Sequence, residues 1–284
     1  MKVAVIGGGI MGSGIAQLAA MAGHAVAIRD VGEAELGRAR DAIESSLAKL
    51  CEKDRLSEAE ADAARESLTF TTALDEAVGA ADVVVEAVPE LLEVKHQVLA
   101  EVVAAAPAGA LLGTNTSQLS ITSIGAALGD DASRLVGMHF FNPPVLMRLC
   151  ELVRGLATAD DALERAREFA TGLGKTVVVC QKDSPGFITS RAYAILRLEC
   201  LRMLEEGVAT AEDIDTAMKL GFNFPMGPLE LGDFNGLDTY LHAIESLERA
   251  HGDRFRPTVG LRNMVAAGHL GRKTGRGFYD YSEG

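Results

Sequence analysis

Short apolar runs alternate with longer amphipathic stretches through the first 180 residues. Runs of strand length occupy KVAVIG (2–7), AVAIRD (25–30), LTFTTA (68–73), DVVVEAV (82–88), ALLGTN (110–115), RLVGMHF (134–140), LCELV (149–153) and TVVVC (176–180). Helix-length segments separate most of them. This alternation predicts an open, largely parallel sheet with helices on both faces. Residues 33–66 are too long for a minimal crossover, and Ser57 followed by Glu60 reads as a capping box that starts a second helix. A helical hairpin is therefore expected between the second and third strands.

The texture changes at KDSPGF (182–187), a punctuating turn. Beyond it the pattern predicts helices over 188–206 and 211–220, a third from Pro228 through HAIESLERA (242–250), and a fourth over 257–267. The chain thus divides into an α/β domain, 1–182, and an all-α domain, 183–284.

Composition narrows the partners. The 284 residues are 48 % hydrophobic and 24 % charged, enough apolar material for a sizeable core, and the net charge of −13 argues against nucleic acid or an anionic membrane. Cys51, Cys150, Cys180 and Cys200 lie far apart, without metal-ligand spacing. They read as small buried hydrophobes in a reducing, cytoplasmic compartment, and no metal site is expected. The N-terminal run superficially imitates a signal peptide, but three consecutive glycines would disrupt its apolar helix.

Those glycines fit a tighter pattern. Gly7, Gly9 and Gly12 fill G-x-G-x-x-G between an apolar strand and an Ala-rich helix. The first permits the turn, the second lets backbone approach a pyrophosphate, and the third lets helix and strand pack closely. The helix N-terminus offers its N–H groups to phosphate. Asp30 ends the second strand, where a carboxylate accepts from both ribose hydroxyls and repels a 2′-phosphate, favouring NAD over NADP. Arg29 beside it is the feature that would suit the extra phosphate. The expected fold is a Rossmann-type dinucleotide-binding domain with a helical-hairpin insertion, followed by the all-α domain.

Hydride transfer from an alcohol needs a base for the hydroxyl proton. His24, His242, His251 and His269 sit in polar contexts and are expected to be exposed, while His96 lies on a helix face. Only His139 falls at the carboxyl end of a strand in the dinucleotide domain, where open parallel sheets bind ligands. If NPPV (142–145) turns the chain back into a neighbouring strand, Glu151 can meet it and fix the imidazole tautomer. On residue pattern alone, a structural His139–Glu151 pair and a catalytic one stand level.

GMHFFNPPVLMRLCEL (137–152), with the preceding NTSQLSIT (115–122), resembles the signature of the L-3-hydroxyacyl-CoA dehydrogenase family. The similarity runs along the chain through VIGGGIMGSGIA, VVVEAVPE, KDSPGFITSR, EDIDTAMKLG, PMGPLELGDFNGLD and GRKTGRGFYDY, in that order. The last third is most similar to bacterial short-chain, 3-hydroxybutyryl-CoA-specific members.

The resemblance implies that His139 is the general base, Glu151 its orienting partner, and Ser117 and Asn142 neighbours of nicotinamide and substrate. It further implies that Gly7, Gly9, Ile10, Met11, Gly12, Asp30, Glu90, Lys95, Ser117, Asn142 and Lys273 contact NAD. Ser46 and Lys53, with Ser117, would contact the acyl-CoA substrate. The helical domain would border the substrate cleft and form a homodimer, and the metabolic setting would be fatty acid β-oxidation or butyrate metabolism. One departure stands out: the family often has asparagine in a PGFxxNR segment where this chain has Ser190. Two other readings are a dehydrogenase of free β-hydroxy acids or sugar acids, and a non-catalytic dinucleotide-binding protein.

Overall fold

The computed structural model describes residues 1–282. The chain divides into two compact units, Met1–Phe187 and the remainder from Ile188. The KDSPGF turn therefore belongs to the first unit as far as its phenylalanine.

All eight expected strands form: β1 Lys2–Ile6, β2 Ala25–Arg29, β3 Leu68–Thr71, β4 Val83–Glu86, β5 Leu111–Thr114, β6 Leu135–Phe140, β7 Leu149–Val153 and β8 Thr176–Cys180. They make one sheet in the order β3-β2-β1-β4-β5-β6-β7-β8. Every pairing is parallel except β6 with β7. The order reverses between β1 and β4, which opens a crevice at their carboxyl ends.

The helices of the first unit are α1 Ile10–Met21, α2 Glu33–Glu52, α3 Glu58–Glu66, α4 Leu74–Val78, α5 Leu92–Ala105, α6 Ile121–Gly125 and α7 Asp160–Gly172. The pleat sorts the strand side chains between two cores. Val3 and Val5 pack with residues of α1, α2, α3 and α7, whereas Ala4 and Ile6 pack with residues of α4, α5 and α6. Burial on both faces is why the strands read as continuous apolar runs. The α2–α3 hairpin carries the expected capping box, with Ser57 Oγ accepting from Glu60 N and Glu60 Oε2 accepting from Ser57 N.

The second unit is helical: α8 Thr189–Glu205, α9 Ala211–Phe222, α10 Pro228–Asn235, α11 Leu237–His251 and α12 Val259–Ala266. The single helix expected from Pro228 to residue 250 is instead two. Gly236 separates α10 from α11 with φ 95°, a conformation that interrupts helical backbone and favours glycine. Asp215, fully buried, accepts from Leu229 N and Glu230 N and so caps the start of α10.

The histidine expectations need one correction. His242 is exposed, but His24, His251 and His269 are half-buried. His24 stacks on Phe169, and its Nε2 is buried without a partner among the described residues. Cys150, Cys180 and Cys200 are buried and Cys51 is half-buried, and none is in a disulfide among the described residues. No helix of the described residues is long and apolar enough to cross a membrane.

Candidate active site

The cleft begins at the glycine turn. Gly7 adopts φ 100°, and a Cβ on Gly12 would lie 1.7 Å from the Gly7 carbonyl oxygen, so neither position accepts a side chain. Gly9 is the N-cap of α1, whose first N–H groups have no side-chain cap, and a Cβ there would meet nothing within 4 Å. The helix start therefore faces open space with its donors uncommitted, which suits a pyrophosphate.

At the end of β2, Asp30 is held by its own backbone surroundings. Its Oδ2 accepts from Gly8 N and its Oδ1 from Val31 N, each at 2.6 Å. Carboxylate oxygens retain further lone pairs for ribose hydroxyls. Gly7, Gly9, Ile10, Met11 and Asp30 all line one cavity of about 630 Å³. Arg29 lines it too, with its Nε donating to the Thr72 carbonyl.

A second cavity, of about 360 Å³, shares Met11, Ala87 and Val88 with the first and so continues it. Its wall brings together His139, Asn142, Ser117 and Glu90. The antiparallel return of β7 sets Glu151 directly opposite His139 in register. Their side chains meet at 2.8 Å, His139 Nδ1 to Glu151 Oε2, with His139 7 % exposed and Glu151 fully buried. A carboxylate on Nδ1 fixes the proton on that nitrogen and leaves Nε2 to exchange one with a ligand. Phe141 tilts against the imidazole at a centroid distance of 4.5 Å, and Phe187 meets it edge-on at 5.7 Å. The ring is steadied from three sides.

Glu90 sits in a net of donors. Its Oε1 accepts from Thr116 Oγ1 at 2.5 Å and Ser117 N at 2.9 Å, and its Oε2 lies 3.2 Å from Lys95 Nζ. Burial raises its pKa, but the Lys95 charge and these hydrogen bonds outweigh that, holding the carboxyl below its ordinary value. Lys95 is fully buried, its ammonium on Glu86 Oε1 at 2.7 Å, so it reaches the cavity through Glu90 rather than by its own surface.

Three residues of this region escaped the sequence reading. Glu86 joins Lys95, Thr114 Oγ1 and Val88 N. Thr116 supports Glu90. Asn115 lines the cavity and accepts from Phe140 N at 2.9 Å, tying the end of β5 to the end of β6 beside His139. A glutamate inside the apolar run VVVEAV was the available signal for Glu86; Asn115 had only its place after a strand.

The remaining expected residues are carried by other elements. Half-buried Ser46 on α2 and exposed Lys53 at its C-cap are seven positions apart (53 − 46), two helical turns along one side of the hairpin. Ser190 lies in the first turn of α8, in the second unit. Lys273 is also in the second unit, its ammonium on Asp238 at 2.6 and 2.7 Å.

Comparison with known proteins decides the family. Residues 2–184 match the model of the 3-hydroxyacyl-CoA dehydrogenase NAD binding domain, and residues 186–281 that of its C-terminal domain. The chain belongs to the 3-hydroxyacyl-CoA dehydrogenase family. A probable 3-hydroxybutyryl-CoA dehydrogenase of Deinococcus radiodurans is 43 % identical over 99 % of this chain and all of its own. The mitochondrial hydroxyacyl-coenzyme A dehydrogenase of Homo sapiens is 40 % identical over 98 % of this chain and 90 % of its own. The crystal structure of (S)-3-hydroxybutyryl-CoA dehydrogenase from Ralstonia eutropha superposes with a TM-score of 0.95, at 40 % identity over 99 % of both chains. As a 3-hydroxyacyl-CoA dehydrogenase, the protein is an NAD-dependent oxidoreductase of 3-hydroxyacyl-CoA, and the uncapped glycine turn with Asp30 beside it fits that cofactor.

Proposed function

We propose that the protein oxidises short-chain (S)-3-hydroxyacyl-CoA, of the 3-hydroxybutyryl type, reversibly to 3-oxoacyl-CoA, with His139 as general base and acid. The observation that carries this is the buried His139–Glu151 pair opening on a cavity continuous with the glycine-turn cleft. NAD, when bound, supplies the hydride acceptor. His139 Nε2 takes the C3 hydroxyl proton as the C3 hydrogen departs with its electron pair, and the O–H electrons complete the ketone. Glu151 stabilises the resulting imidazolium. In reduction the imidazolium returns the proton to the forming alkoxide. Ser117 and Asn142 on the same wall orient the substrate oxygens, and Lys53 offers a point charge to a CoA phosphate, so an acidic chain can still hold a polyanion.

Homologues named 3-hydroxybutyryl-CoA dehydrogenase support the short-chain preference. A homodimer through the helical unit is supported by exposed apolar side chains on α9 and α10. Four cysteines far apart in the sequence support a cytoplasmic setting.

The test is NADH oxidation with acetoacetyl-CoA, beside free acetoacetate. Wild type is expected to act on the thioester, and His139→Gln to lose roughly 10²- to 10⁴-fold in kcat while still binding NADH. Activity on the free acid alone would reject the substrate class. Undiminished turnover in the variant would reject the base.

A further inference from the structure

Lysines are rarely buried without a counter-charge, because taking an ammonium out of water is costly. Lys175, just before β8, is 7 % exposed. Its Nζ donates to two backbone carbonyls, Pro144 O at 2.5 Å and Met147 O at 2.8 Å, both in the loop between β6 and β7. Cys150, whose thiolate charge would act on it, does not neutralise it: burial pushes that thiol up to about 12, so it stays protonated. Burial also pulls the Lys175 pKa below its ordinary value, as expected for an ammonium taken out of water.

The loop has few other ties. Leu146 N and Met147 N both donate to the Pro143 carbonyl at 3.0 Å, and Thr176 N, next to Lys175, takes the Arg148 carbonyl at 2.7 Å. Across the loop, α1 approaches so closely at Gly14 that a Cβ would lie 2.8 Å from Pro144 Cδ. Pro144 is thus seated between the glycine helix and a buried ammonium. Asn142, on the cavity wall with His139, lies two residues before it (144 − 142).

We propose that Lys175 is a positioning residue for hydride transfer, its ammonium clamping the loop so that Asn142 keeps its place beside His139. This rests on the reading of the cavity given above. A small displacement of an orienting group is enough to cost about 10²-fold in rate.

The test replaces Lys175 by Met, which keeps length but no donor, and by Gln, which keeps an N–H donor. NADH titration supplies the folded fraction and the Kd; acetoacetyl-CoA reduction supplies kcat and KM. Expected is kcat per NADH site falling about 10- to 100-fold in Lys175→Met and less in Lys175→Gln, with the NADH Kd changing far less than kcat. If Met prevents folding, Gln decides by the same split. Lys175→Met in an Asn142→Ala background should change kcat less than about twofold, because the two act as one unit. Loss of NADH affinity in step with kcat, or full additivity with Asn142→Ala, would overturn the clamp. A wild type inactive on acetoacetyl-CoA overturns the reading of the cavity itself, whereas active wild type with equally active Lys175 variants overturns the clamp alone.

Discussion

Glu90, at the cavity wall, ties the site to acid stability. Its carboxyl is held below the ordinary range, so the folded state binds its proton less readily than the unfolded chain does. The stability it contributes is present above the unfolded value of about 4.3 and disappears as pH falls through the lower folded value. Glu90→Gln should therefore lower the urea midpoint at pH 7, and the gap to wild type should narrow as pH falls below about 4. Equal gaps at both ends of that range would show that Glu90 acts by shape and not by charge. At this scale the His139–Glu151 pair was legible, whereas Glu86 and Thr116 escaped although their partners include side chains. His139 and Glu151 are 12 apart with a turn between, which a sheet can close. Lys175 and Asn115 bind backbone groups, which no spacing of side chains announces.

Elements were legible where one physical demand dominates. The central strands must be apolar on both faces, so they show plainly in the chain; whether β7 runs parallel or antiparallel rested on reading NPPV as a turn. The break at Gly236 did not show, because an isolated glycine is tolerated inside a helical pattern and only the backbone reveals its φ. The α2–α3 hairpin, by contrast, is declared by its capping box, and it carries Ser46 and Lys53. Ser57→Ala should cost about 0.5–2 kcal/mol of local stability, seen as faster amide exchange in α3. If the hairpin holds CoA, KM should rise for acetoacetyl-CoA and not for acetoacetyl-pantetheine, which lacks the nucleotide. A parallel rise for both substrates would detach the hairpin from CoA binding.

At the scale of the whole molecule, both units leave large apolar side chains uncovered. The first exposes them singly on separate elements, such as Ile10, Val31 and Leu156, whereas the second leaves Leu220 at 82 %, Phe222 at 70 % and Phe234 at 58 % exposed on α9 and α10. Large apolar side chains exposed on two neighbouring helices suit the proposed dimer surface, since burying them removes apolar area from water. The chain carries a net charge of −13, so the proposed dimer would form against a repulsion that apolar burial must outweigh. Phe222→Glu should tip that balance, adding a charge where a ring would be buried. Light scattering should then give twice the chain mass for wild type and the single-chain mass for the variant. NADH affinity should hold, because the glycine turn and Asp30 lie in the first unit. Wild type running as a monomer at micromolar concentration would remove the dimer, and a variant that stays dimeric would move the interface off α9.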